Sequence, residues 1–76
     1  MKELVEYMVR SLVDDPAAVR VDVVEGANLT VYEVSVADDD LGKIIGRQGR
    51  IANALRSVVK AAAMRTNDRV TVEILS

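Results

Sequence analysis

The segment Gly42-Lys43-Ile44-Ile45-Gly46-Arg47-Gln48-Gly49-Arg50-Ile51 sets an apolar pair before a glycine, two polar residues after it, and another glycine at the start of a helical pattern. Neither Gly46 nor Gly49 carries a Cβ, so the backbone can turn sharply between them and a second backbone can approach closely. The amides left open at such a turn, and the helix N-terminus behind it, favour an anion. Lys43, Arg47 and Arg50 surround the turn with positive charge. The combination suits a phosphodiester backbone.

On the N-terminal side, Leu4, Val5, Met8, Val9, Leu12 and Val13 form one apolar stripe, which predicts a helix over 2–13. Asp14-Asp15-Pro16 ends it, because the residue before a proline is pushed out of helical geometry. Val19, Val21 and Val23 alternate with Arg20 and Asp22, which predicts a strand over 19–25. Glu25-Gly26-Ala27-Asn28 reads as a turn. A second β-rich run, Leu29 to Val36, has uneven parity: Thr30, Tyr32, Val34 and Val36 share one face, Leu29 and Val31 the other. A bulge or burial on both faces produces such a pattern. Asp38-Asp39-Asp40 offers capping carboxylates for a short helix through Ile45.

On the C-terminal side a long helix is expected from about Gln48 to Arg65, with Ile51, Leu55, Val58, Val59 and Ala62 on one stripe and Asn53, Arg56 and Lys60 opposite. Its second half, Val58-Val59-Lys60-Ala61-Ala62-Ala63-Met64, is apolar almost all round, so it is covered on both sides within the fold or meets another chain. Thr66-Asn67-Asp68 breaks the helix, and Val70, Val72 and Ile74 alternate with Thr71 and Glu73 in a last strand. The order α-β-β-α-α-β predicts an α+β two-layer domain over 1–76, a three-stranded sheet covered by three helices.

Half of the 76 residues are hydrophobic, enough for one core with a thin stability margin. The absence of cysteine means that the fold needs no disulfide. No apolar run approaches the roughly 18–20 residues that span a bilayer, and Met1-Lys2-Glu3-Leu4 does not open a secretory signal, so a cytoplasmic protein without a membrane partner is expected. The net charge of −2 conceals a division. Residues 1–42 hold three bases against ten acids, whereas residues 43–69 hold seven bases against one acid, Asp68. Local field rather than total charge governs a bound polyanion within a Debye length of about 8–10 Å.

The Gly46-Arg47-Gln48-Gly49 loop, the Ile44-Ile45 approach, the amphipathic helix after it and the element order together resemble the KH domain in its type II, bacterial topology. Within that group the run from Gly42 to Ala52, followed by Leu55-Arg56-Ser57-Val58-Val59-Lys60-Ala61-Ala62, is similar to the small single-domain KH proteins, the KhpA family. The resemblance covers nearly the whole chain and implies capture of about four nucleotides of single-stranded RNA against the loop. It implies that Gly46 and Gly49 admit the phosphates, that Arg47 and Gln48 project toward the backbone, and that Lys43 and Arg50 flank it. It implies that Ile44 or Ile45 gives apolar contact, and it extends the RNA-binding set to Asn53. Many eukaryotic KH domains carry a large aliphatic residue where this chain has Ala52, so their base preferences do not carry over. The resemblance further implies self-association or pairing with a second, larger KH-containing protein, and an RNA-chaperone or post-transcriptional role tied in some bacteria to cell-wall growth and cell shape.

Other function classes fit less well. The chain has no histidine and no cysteine, which removes the commonest general base and the thiol nucleophile. The glycine spacing matches neither G-x-G-x-x-G nor the P-loop. No enzyme activity, cofactor, metal or small-molecule substrate is expected; the three aspartates at 38–40 read as caps rather than ligands. With no Phe or Trp and only Tyr7 and Tyr32, the chain lacks the stacking surface of RRM, OB or cold-shock modules. The alternative is a protein-interaction module whose apolar C-terminal helix mediates assembly, with RNA binding secondary.

Overall fold

Alternate positions of three strands and one stripe each of two helices supply apolar side chains to a common core. In the computed structural model, which describes residues 1–75, the chain runs α1 (Lys2–Leu12), β1 (Arg20–Glu25), β2 (Thr30–Ser35), α2 (Leu41–Ile45), α3 (Arg50–Met64) and β3 (Val70–Ile74). Short 3-10 turns at Pro16–Ala18, Asp38–Asp40 and Arg47–Gly49 lead into β1, α2 and α3. The α-β-β-α-α-β order and the two-layer α+β architecture are those expected from the sequence.

β2 is the central strand. It pairs antiparallel with β1, Arg20 opposite Ser35 through Glu25 opposite Thr30, and parallel with β3, Thr30 opposite Val70 through Val34 opposite Ile74. An antiparallel pair needs only a tight turn, but a parallel pair needs a long crossover. Here α2, the glycine turn and α3 are that crossover. The register is unbroken, so no bulge explains the uneven parity of β2. Its outward side chains Val31, Glu33 and Ser35 are half-buried because the strand has a neighbour on each side.

The core holds Val5 and Val9 of α1, Val21, Tyr32, Val34, Val70 and Val72 of the sheet, Ile44 of α2, and Leu55, Val59 and Ala63 of α3. Three expectations shift. Val23 is exposed rather than inward, since the helices cover only the first half of edge strand β1. The buried stripe of α3 is Ala52, Leu55, Val59 and Ala63, and Val58 is exposed. The second half of α3 is therefore covered on one side only: Val59 and Ala63 are core, whereas Val58, Ala61 and Met64 face outward. Surplus apolar surface collects in a groove of about 560 Å³ between α1 and α3, walled mainly by Tyr7, Met8, Leu12, Ile51, Leu55 and Val58. α3 ends in a Schellman arrangement: the Asp68 amide donates to Ala63 O (3.0 Å), the Asn67 amide to Met64 O (3.3 Å), and Asn67 is left-handed at φ 59°.

The aspartate run does not cap α2. None of its side chains makes a cap hydrogen bond. Asp40 is buried, and its two carboxylate oxygens accept the backbone N–H groups of Asp14 and Asp15, each at 3.1 Å. Lys43 Nζ lies 3.7 Å from Asp40 and also donates to Asp14. One carboxylate thus ties the exit of α1 to the entry of α2. The Asp14 amide, aided by the Asp15 amide and by Lys43, holds the Asp40 carboxyl below its ordinary value despite burial. Lys43 is raised, chiefly by its hydrogen bond to Asp14.

A carboxyl with a depressed folded pKa stabilises the fold above its unfolded value, about 3.9, and loses that contribution as pH falls through the folded value. A raised lysine contributes below about 10.4 and loses its contribution as pH climbs through its folded value. In thermal melts from pH 7 down to pH 2, Asp40→Asn is therefore expected to start lower than the parent and to decline less steeply. Parallel declines would remove Asp40 from the acid dependence.

Candidate nucleic-acid interface

α2 stops at Ile45 because Gly46 takes φ 74°, ψ 173°, a conformation open almost only to glycine. A Cβ there would also stand 2.3 Å from Ile51 Cγ1 and 2.9 Å from the Ile51 backbone nitrogen. Gly46 is thus required both by its torsions and by the close approach of α3. Gln48 (φ 58°, ψ 26°) and Gly49 (φ 74°, ψ 15°) are both left-handed. Gly49 has room around it, its Cβ position lying 3.9 Å from Asn53 Nδ2. The Gly49 amide donates to Gly46 O at 3.2 Å and the Arg50 amide to Arg47 O. The Arg47 and Gln48 amides precede the first hydrogen bond of the 3-10 turn, so no carbonyl within that turn accepts them, and both side chains are exposed. The turn is held by its own hydrogen bonds and leaves two donors at its tip.

The isoleucines divide the work that the sequence left open. Ile44 is fully buried in the core, and Ile45, 38% exposed, borders the turn. The cations divide as well. Lys43 is paired with Asp14 and Asp40, whereas Arg47 and Arg50 have no ion pair among the described residues. The sequence grouped all three around the loop and did not foresee this, because Asp14 lies 29 residues from Lys43.

Asn53 stands one helical turn beyond Gly49, and its Oδ1 accepts from Arg56 Nη1 at 3.2 Å. Arg56 Nε in turn donates to Val72 O at 3.0 Å, which fixes the guanidinium on the outer edge of β3. Arg56, which the sequence-based set omitted, therefore stands beside Asn53 on the face of α3 that leads away from the turn. The polar stripe Asn53, Arg56, Lys60 opposite the apolar one was its signal. Three further acids lie on the helix-free face of the sheet, where Asp22, Glu33 and Glu73 stand in one cross-strand row, with Arg20 Nε 3.4 Å from Asp22. Tyr32 is in the core, and the exposed Tyr7 lies in the α1–α3 groove, which Arg50 and Ile51 also line.

Residues 2–74 match the family described as KhpA/KhpB, KH domain. The chain belongs to the KhpA/KhpB family of KH domains. RNA-binding protein KhpA of Clostridium perfringens is 53% identical over 75 residues, covering 99% of this chain and 100% of that one. RNA-binding protein KhpA of Borreliella burgdorferi is 51% identical over 73 residues, covering 96% and 89%. Among solved structures, a variant of Era from Aquifex aeolicus bound to GDP and aluminium fluoride matches with a TM-score of 0.66 over 96% of this chain and 28% of that chain. At 20% identity that likeness is one of fold alone. The three helices and mixed three-stranded sheet are a type II KH domain.

No helix of the described residues is long and apolar enough to cross a membrane.

Proposed function

We propose that this KH domain is a non-catalytic RNA-binding protein that clamps about four nucleotides of single-stranded RNA at the GxxG loop. The supporting observation is the loop tip, where the amides of Arg47 and Gln48, outside the turn's own hydrogen bonds, meet two arginines without ion pairs. Gly46 and Gly49 let the strand approach, Arg47, Gln48 and Arg50 meet its phosphates, and Ile45, Asn53 and Arg56 line its path toward β3. Lys43 and Ile44 act from behind, as the ion pair and the core anchor that hold α2. Names of the relatives above support RNA as the ligand. An RNA-chaperone or post-transcriptional role in the cytoplasm, connected with cell shape and wall growth, follows the resemblance.

Aromatic stacking, worth about 1–3 kcal/mol per base elsewhere, has no aromatic side chain in the Gly46–Gly49 turn itself and only Tyr7 in the groove that Arg50 also lines, so affinity is modest and carried mainly by backbone contacts. With two to three phosphate contacts, log K is expected to fall against log salt with a slope of about −1.4 to −2.1. Replacing Arg47 and Gln48 together by Asp should abolish binding of a single-stranded RNA in a fluorescence-anisotropy titration while leaving the melting curve nearly unchanged, since both side chains are exposed. Undiminished binding by that variant would transfer the function to protein assembly. The apolar α1–α3 groove favours this second role, as the seat of a homodimer or of a second, larger KH-containing partner.

A further inference from the structure

β1 is an edge strand: β2 pairs along one side of it, and no strand of the described residues pairs along the other. An open edge offers unpaired backbone N–H and C=O groups to a further strand, and charged side chains commonly protect it. On β1 that protection is thin. Arg20 and Asp22 neutralise each other at 3.4 Å on the helix-free face. Val23 and Val24 follow, 40% and 47% exposed, on opposite faces of the half of β1 that the helices leave uncovered.

The helix beside this edge carries matching charge. α1 packs on β1, α2 and α3. It turns Val5 and Val9 to the core, and Tyr7, Met8, Ser11 and Leu12 to the groove with α3. Its remaining flank, toward the open edge, holds Glu3, Glu6 and Arg10. The chain reverses between α1 and β1, so Arg10, near the end of α1, stands over the start of β1. Glu25, at the other end of β1, has the helix-side parity of Val21 and Val23 and no ion pair among the described residues.

From this edge and these charges we infer that β1 docks a second copy of the chain, antiparallel about a two-fold axis through Val23, to make one continuous six-stranded sheet. An axis at Asp22 sets two carboxylates face to face, which destabilises a strand pair. An axis at Val21, which α1 covers, brings the two α1 helices to about the 4.8 Å spacing of strands, whereas packed helices need about 8–10 Å. The axis at Val23 displaces the helices along the strands, buries Val23 against its counterpart between them, and sets Glu25 of each copy opposite Val21 of the other, beside Arg10. The α1–α3 groove and the β3 edge of both copies stay open, so the pairing competes neither with a partner in the groove nor with the RNA path, and it does not rest on RNA binding.

The chain has no cysteine, so single cysteines report this register on the intact protein. Across the axis the two Cα atoms of residue 23 lie about 4.5–5.5 Å apart, within disulfide reach, and those of residue 24 about 8 Å apart, beyond it. Under mild oxidation Val23→Cys is expected to form a disulfide-linked dimer at least about tenfold faster than Val24→Cys, although Val24 is the more exposed. Two strand edges bury less than the standard interface of about 1,600 Å², so in sedimentation equilibrium the parent is expected to dimerise only at high micromolar concentration. Arg10→Glu and Glu25→Arg should each weaken that dimer about fivefold, and together restore it. Equal cross-linking of the two cysteine variants, charge reversals without mutual rescue, or a parent that stays monomeric at millimolar concentration each overturns the β1 pairing. So does a dimer that Val58→Asp in the α1–α3 groove abolishes and neither charge reversal alters.

Discussion

Gly46→Ala is expected to destabilise the fold by roughly 2–4 kcal/mol, against about 1 kcal/mol for Gly49→Ala. Both glycines have φ 74°, so a comparison of torsions at φ alone would treat them alike. They differ in ψ and in surroundings. Gly46 occupies the region near ψ 180°, where side-chain-bearing residues are strained, and its Cβ would enter the space of Ile51 Cγ1. Ile51 packs against the core, and the second clash is with its backbone nitrogen at 2.9 Å, so neither neighbour can swing aside cheaply. Gly49 is in the ordinary left-handed region with open space around it. For a domain of 76 residues, whose whole stability is on the order of 4–11 kcal/mol, the Gly46 loss is large. Urea unfolding of the two variants checks this. Equal midpoints would mean that the approach of Ile51 to the turn is not what demands glycine at 46.

Ile44→Ala is expected to cost about 2–5 kcal/mol, and Ile45→Ala less than about 1 kcal/mol. Ile44 is among the largest fully buried side chains, and truncating it leaves a cavity beneath α2. Ile45 loses little on truncation because more than a third of it is already in water, at 38% exposure. On the proposed function the ranking inverts for ligand: Ile45→Ala weakens RNA binding several-fold at unchanged stability, and Ile44→Ala affects binding only through the folded fraction. Equilibrium unfolding and an RNA titration on the same two proteins separate the effects. Comparable stability losses would show that α2 is rotated from the orientation described.

Each of these contrasts lies between neighbours or equivalents in the chain, and this marks where sequence legibility stops. The glycine pair, the flanking cations and the amphipathic helix after them are local patterns, so the turn and its position between two helices were readable. Period-two alternation put Val21 among the apolar side of β1 and grouped Tyr32 with Val34 on one face of β2, and all three are buried. Val23 followed the same alternation and is exposed, because alternation assigns a face and not the extent of the layer covering it. Val58 failed for a related reason. Two apolar neighbours at 58 and 59 leave the centre of the stripe undecided, and contact with the sheet selected Val59.

The order of elements, their boundaries to within a few residues and the bend at 46–49 were determined by the sequence itself, since torsional preference and apolar period act over a handful of neighbouring residues. Tertiary structure alone decided the pairing of Lys43 with Asp14 and Asp40, the anchoring of Arg56 on Val72, and the meeting of Leu29 with Lys60 and Arg69. Charges and hydrogen-bonding groups act on whatever lies within a few ångströms, and only the closing of the β2–β3 crossover brings these distant segments that near.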